Sequence, residues 1–150
     1  MSSSTMYIMV SQELPYLFII LGILYGVSYL ISFLRNAKSV MKTKPSHLIE
    51  FLTPLSSHDM RNVVTGFARQ NRYKIEDVEE DRDRIILSTS PSWSNWGFFY
   101  AIYLTQKNGK TLVEVGIKSR FIVYGVVLDR HLERCVNGIK ASIHDFSTSN

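Results

Sequence analysis

An uncharged apolar segment near the N-terminus limits what this chain can fold into. Leu14 to Leu34 form 21 consecutive residues without an Asp, Glu, Lys or Arg. As a helix rising about 1.5 Å per residue, this segment would span the roughly 30 Å hydrocarbon core of a bilayer. A domain of ordinary size rarely hides a helix that is apolar on every side. We therefore predict a single transmembrane helix over residues 14–34.

The flanking charges distinguish an anchor from a cleaved signal peptide. Signal peptides begin with bases and end at small residues, whereas residues 1–13 hold no base and RNAKSVMK follows the apolar segment. This pattern predicts an uncleaved signal anchor. Four bases lie within residues 35–44 and none precedes the helix. Because Lys and Arg stay on the cytoplasmic side, we expect a short extracytoplasmic N-terminus (1–13). The C-terminal domain is then cytoplasmic, or lies in the matrix or stroma of an organelle.

Small residues four positions apart indicate a packing seam on the predicted membrane helix. The two pairs are Gly22 with Gly26, and Ser28 with Ser32. Such pairs allow two helix backbones to approach closely, although glycine is common in membrane helices for other reasons. The expected partner is another membrane protein or a second copy of this chain.

A basic linker, residues 35–46, follows the helix and holds the excess charge of the chain. Its bases are predicted to lie at the membrane surface, on lipid headgroups: Arg35, Lys38, Lys42 and Lys44. Ala37, Val40 and Met41 share the opposite side, so a short helical extension would suit the interface; alternatively, the bases only set topology. The remaining 106 residues hold 13 bases and 12 acids. A nucleic-acid binder carries its bases on the folded domain, so no nucleic-acid partner is predicted.

Residues 47–146 have the pattern of a small soluble domain. A short strand is predicted over 47–53. A helix then begins at Ser56, and its apolar residues recur with the spacing of one buried helical face: Met60, Val63, Val64, Phe67 and Ala68. Short strands are expected around Tyr73 and Ile75, and over 85–89, 96–106 and 111–119. Asn108-Gly109 between the last two predicts a type I′ hairpin turn.

The end of the domain is predicted to be a second helix. Asp129 is expected to cap it, and its apolar stripe consists of Leu132, Cys135, Val136, Ile139 and Ile143. Residues 121–127 before it are read as a fifth strand of this series or an apolar loop, and 147–150 as a disordered tail. The predicted class is α+β, with the order β-α-β-β-β-β-α and an antiparallel sheet that carries two helices on one face. In element order, this resembles helix-grip domains, and more faintly the small domains of some bacterial envelope lipoproteins.

No motif in the sequence predicts a cofactor, a metal site or catalysis. A calcium loop beginning at Asp77 would need glycine at its sixth position and glutamate at its twelfth, where Arg82 and Ser88 stand. His131 and Cys135 have the spacing of two metal ligands on one helix face, but a free cysteine within an apolar stripe usually packs as a small hydrophobe. No nucleophile elbow, phosphate loop or dinucleotide fingerprint occurs. We expect a protein without catalytic, cofactor or metal-binding residues.

The long aromatic strand is apolar on both faces. The residues that alternate onto a core face are Trp96, Phe98, Tyr100, Ile102 and Leu104. Phe99, Ala101 and Tyr103 nevertheless occupy the face where a solvated antiparallel sheet is polar. A partner protein, a second copy, a bilayer or an enclosed ligand could cover that second face; alternatively, the register is shifted or a bent sheet covers it internally. The residues predicted for this partner or ligand surface are Trp96, Phe99, Tyr103, Ile122 and Tyr124.

These features lead to two hypotheses of different classes. The first is a membrane-anchored, non-enzymatic interaction module that serves as an accessory or assembly subunit of a larger membrane complex. The second is a membrane-tethered binding domain for a lipid or another apolar ligand, with the aromatic strand lining a cavity. An enzyme acting at the membrane is the weakest interpretation, since it requires His or acidic residues that converge on one cleft.

Overall fold

The structure, a computed structural model, describes residues 3–34, 36–79, 83–91, 97–120 and 125–149. A long N-terminal helix and a very short one precede an α+β domain. The elements are α1 (Ser3–Leu34), α2 (Ala37–Val40), β1 (Leu48–Thr53), α3 (Ser57–Gln70), β2 (Lys74–Glu79), β3 (Arg84–Ser88), β4 (Phe98–Lys107), β5 (Lys110–Ser119) and α4 (Val126–Ser149). The predicted α+β class and the order β-α-β-β-β-β-α of the domain are confirmed.

Helix α1 stands apart from the domain. Its segment Leu14–Ile31 has a mean hydropathy of 2.0, and none of it is buried. A core helix of a soluble domain would be covered, so that alternative does not apply to α1. The helix is long and apolar enough to cross a membrane, and it begins eleven residues before the apolar segment, at Ser3.

The five strands form one antiparallel sheet in the order β1-β5-β4-β3-β2. The first strand therefore lies beside the last, with Leu48 opposite Gly116. The hairpin between β4 and β5 turns at Asn108 and Gly109, whose φ angles of 52° and 75° are both positive. This is the geometry that a type I′ turn requires, as the Asn-Gly pair predicted.

Helices α3 and α4 pack on one face of the sheet and form the inner core with it. Ser56 caps α3, its Oγ accepting the Asp59 amide at 3.1 Å. The predicted face of α3 is buried as a unit. The stripe on α4 is likewise buried from Leu132 to Ile139, and Ile143 packs at its margin. Phe98, Tyr100, Ile102 and Leu104 of β4 complete this core.

Both ends of α4 differ from the prediction. The helix begins at Val126, and Gly125 accepts the first main-chain bond, from the Leu128 amide at 2.9 Å. Asp129 therefore lies in the first turn and is not the cap. A strand through residues 126 and 127 is excluded, while 121–124 lie outside the described residues. At the other end, α4 continues through Ser149, so the predicted disordered tail is wrong for residues 147–149. The Ser147 and Thr148 hydroxyls there bond to carbonyls one turn earlier.

Candidate functional site

The second face of the sheet is covered by the chain itself. Ile86, Phe99 and Ala101 are fully buried beneath Ala37 and Met41, and these five residues form a cluster separate from the inner core. Val40 and Tyr103 pack against its edge. The cover consists of α2 and the residues after it, and we call residues 37–45 the linker strap. The two-sided apolar pattern of β4 is thus explained by two cores, one on each face.

Two cations of the sheet hold the main chain of the linker strap. Lys118 Nζ donates to the carbonyls of Val40 at 3.0 Å and Thr43 at 2.7 Å, and to the Thr43 hydroxyl at 2.7 Å. Arg84 donates to the Met41 carbonyl at 3.1 Å. The last carbonyls of a helix lack partners within it and carry partial negative charge. Lys118 and Arg84 therefore satisfy the end of α2, and burial lowers the pKa of Lys118.

The linker strap is fastened again where it crosses β4 and β5. Lys44 pairs with Glu114 at 2.5 Å, and its ammonium lies 5.4 Å from the Tyr103 ring centroid. The hydrogen bond to Glu114 raises the pKa of Lys44. Pro45 then passes over Gly116, where an added Cβ would lie 2.8 Å from the proline Cγ. Glycine at this position is what permits the close crossing.

A buried arginine closes the other end of this face. The Arg120 guanidinium lies 4.2 Å from the centroid of the Phe99 ring and 3.7 Å from Glu76. Glu76 in turn accepts a 2.7 Å hydrogen bond from Ser88. Phe99 is thus enclosed by the linker strap and by Arg120.

The predicted partner surface is therefore not open in this structure. Phe99 is completely buried and Tyr103 is half-buried; the expectation that they present an exposed surface is wrong, because the linker strap occupies that space. Trp96, Ile122 and Tyr124 lie outside the described residues. The covering segment is visible in the sequence as the apolar side of Ala37, Val40 and Met41, a pattern that also suits a membrane surface.

The other predicted site residues are dispersed. Gly22 and Gly26 line a shallow exposed groove on α1 together with Tyr25 and Tyr29. Ser28 is half-exposed, while the Ser32 side chain lies outside the described residues. Among the predicted headgroup contacts, Lys42 is exposed, and Lys44 is engaged by Glu114. Arg35 and the Lys38 side chain fall outside the described residues.

Sequence reasoning missed the residues that fasten the linker strap. Lys118, Arg84, Glu114 and Gly116 occupy the same sheet face as Phe99 and Tyr103. Strand alternation places Glu114, Gly116 and Lys118 on one face. Their partners are main-chain groups and side chains 43 to 78 positions away, a pairing that no local pattern contains.

The inner core contains a small group of polar atoms among its apolar side chains. The rings of Tyr73 and Tyr100 meet edge to face at 5.4 Å. Burial raises the pKa of Tyr73 to about 12 and that of the neighbouring Cys135 thiol to about 12. His131 does not join them; its ring lies 4.4 Å from that of Phe98. Among residues 3–34, 36–79, 83–91, 97–120 and 125–149, no cluster of three His, Cys, Asp or Glu side chains is placed to hold a metal ion.

No family model and no curated protein matches this sequence. Among solved structures, the crystal structure of Ara h 8.0201 is similar with a TM-score of 0.50, at 11% identity, over 69% of this chain and 99% of that one. A DUF4468 family protein from Bacteroides ovatus covers 67% and 80% at 17% identity, with a TM-score of only 0.29. At such identities, the first likeness shows the fold alone. The domain has a helix-grip fold, as its element order predicted.

Proposed function

We propose that this chain is a single-pass, membrane-anchored, non-enzymatic interaction module that serves as an accessory or assembly subunit of a larger membrane complex. The observation that supports the proposal is the linker strap: an apolar, uncovered helix is joined to the sheet by a docked segment. Only Arg35 and Asn36 separate α1 from α2. Three Cα steps span at most about 11 Å. The second face of the sheet, here called the outer sheet face, is therefore kept close to the end of α1. This suits a domain that meets a neighbour in the same membrane.

The proposed orientation places the helix-grip domain in the cytosol. All four bases near the helix lie on its C-terminal side, and Lys and Arg near a membrane helix are retained inside. The test is alkaline extraction followed by protease treatment of sealed, right-side-out vesicles. The full chain should stay in the membrane pellet, and its domain should be protected until detergent is added. Release at alkaline pH, or digestion of the domain from outside, would contradict the proposal.

Complex formation through the membrane helix is tested by size and co-purification in mild detergent. Gly22→Leu with Gly26→Leu should reduce the assembly size or release a stoichiometric membrane protein, because the bulk prevents close helix approach. Ile20→Leu with Leu24→Ile changes the opposite side of α1 and is the matched control. An unchanged assembly in the glycine variant would remove this seam from the proposal, and a monomeric parent chain without any partner would refute the subunit role.

A second candidate function is a membrane-tethered binding domain for a lipid or another apolar ligand. The specific observation is the inner aromatic wall, where Phe98 and Tyr100 face α4 beside the polar atoms of Tyr73 and Cys135. These side chains are packed against one another, so a ligand would bind by displacing α4 from the aromatic side chains. Mass spectrometry of the chain purified in mild detergent decides between the two functions. A small molecule retained at one equivalent favours the ligand function, and a stoichiometric protein without such a molecule favours the subunit.

A further inference from the structure

The linker strap has its own small core. Its buried apolar contacts with Ile86, Phe99 and Ala101, and with Tyr103 at the edge, form a cluster that shares no residue with the inner core. The sheet itself separates the two. Helices α3 and α4 contact the opposite face, so undocking of the linker strap removes no side chain from the inner core.

The remaining attachments lie at the surface of the sheet. Among the described residues they include the bonds from Lys118 and Arg84 to three carbonyls and the Thr43 hydroxyl, the half-exposed Lys44–Glu114 pair, the Lys44–Tyr103 contact and the crossing of Pro45 over Gly116. Segments with few buried apolar contacts open locally at a lower free energy than the global fold. The linker strap meets this description, whereas the eighteen-residue inner core does not.

Undocking would change the reach of the domain. With the strap docked, two residues join α1 to a fixed structure. With it undocked, residues 35–45 become a tether that extends to about 40 Å. The same event uncovers a contiguous apolar surface around Phe99 that is framed by Lys118, Arg84 and Glu114.

We propose that the linker strap is a releasable latch, that is, a segment that detaches from the sheet while the helix-grip domain stays folded. Lys118 is its catch, the residue that holds the strap on the sheet. The closed latch holds the domain near the membrane helix and covers the outer sheet face. The open latch frees the domain from α1 and uncovers that face. This goes beyond the proposed interaction function, because it is a property of the isolated chain and requires no partner.

Two matched cysteine reporters test the latch in the full chain, embedded in lipid nanodiscs. Both are introduced in a Cys135→Ala background. Ala101→Cys reports the face beneath the linker strap, and Ala68→Cys reports the inner core; both alanines are fully buried. Local opening predicts that a thiol reagent labels Ala101→Cys at least about tenfold faster than Ala68→Cys. Equal rates would show that the face opens only with global unfolding, and immediate labelling of Ala101→Cys would show that the strap is not docked; either result overturns the proposal.

The catch is tested by Lys118→Met in the same two reporter backgrounds. Loss of a charged donor with three acceptors should raise the labelling rate of Ala101→Cys by about tenfold or more, while the rate of Ala68→Cys stays unchanged. Lys107→Met, at the hairpin end of β4, is the control and should alter neither rate. If Lys118→Met leaves both rates unchanged, or raises both equally, Lys118 is not the catch of an independent latch. Because no partner is present, these outcomes are independent of the co-purification results.

Discussion

Two glycines in the paired helices allow the packing of α4 to be tested by the same substitution. An added Cβ at Gly138 of α4 would overlap Cε2 of Phe67, closer than any real contact allows. Phe67 has little room to move, since it is buried and its ring lies 5.1 Å from that of Tyr73. At Gly66 of α3, nothing lies within 4 Å of the added Cβ. An alanine methyl group therefore meets the packed Phe67 ring at position 138 and open space at position 66.

The two substitutions are expected to have different effects on the free energy of unfolding. Replacing glycine with alanine inside a helix stabilises by up to about 1 kcal/mol, and Gly66→Ala should realise most of this. At Gly138, the same gain is opposed by an overpacking cost of about 1–3 kcal/mol. Gly138→Ala should thus be neutral to destabilised by about 2 kcal/mol. The difference between the free energies of unfolding of the two variants measures how closely α4 approaches Phe67.

The assay is urea unfolding of the full chain in mild detergent, followed by circular dichroism. The Gly66→Ala midpoint should rise and the Gly138→Ala midpoint should be clearly below it. Gly138→Ala with Phe67→Leu provides the rescue, since the smaller side chain makes room for the methyl group. If both single variants were equally stabilised, α4 would not pack on Phe67 as described, and the arrangement of the two helices would be wrong.

Three further perturbations test other contacts. Gly109→Ala should lower stability by about 1 kcal/mol, because its φ of 75° is strained for a residue with a Cβ; an unchanged urea midpoint would contradict the turn. Gly116→Ala places a methyl group 2.8 Å from both Pro45 Cγ and Leu48 Cδ2, so it should speed hydrogen exchange at strap amides but not in β4. Equal exchange in Gly116→Ala and the parent chain would show that the crossing of Pro45 over Gly116 is not tight. Burial, followed by the charges of Arg134 and Arg130, lowers the pKa of His131, so the unfolded chain binds the proton first as pH falls through about 6.5. Stability should therefore decrease below this pH, and less steeply in His131→Gln; parallel urea midpoints across pH would refute this.

The sequence contained enough information for the domain because its signals are local. The apolar spacing from Met60 to Ala68, the Asn-Gly turn and strand alternation each determine structure over a few residues, and the structure confirms them. The start of α4 could not be located in this way. Aspartate is favoured both at the N-cap and in the first turn of a helix. Asp129 therefore indicates that a helix begins nearby without showing which of the two positions it occupies.

The covering of the second face illustrates a different limit. The alternation in β4 showed that Phe99 and Tyr103 needed a cover, and the spacing of Ala37, Val40 and Met41 showed an apolar side that needed a surface. A bilayer and an apolar sheet satisfy such a side equally well, because the hydrophobic effect is not directional. Only the three-dimensional fold, which brings Lys118 to the end of α2, assigned the two surfaces to each other.

The position of β1 at the edge next to β5 has a consequence for biosynthesis. Leu48 pairs with Gly116, so the first strand has no partner until the last strand has left the ribosome. Pairings between such distant positions carry a large loop-closure entropy and slow the folding of a domain. Helix α1 and β1 are both synthesised well before β5, so β1 keeps an unpaired edge until β5 is complete. Chaperone protection during translation should therefore matter most in the interval between the emergence of Leu48 and that of Ser119.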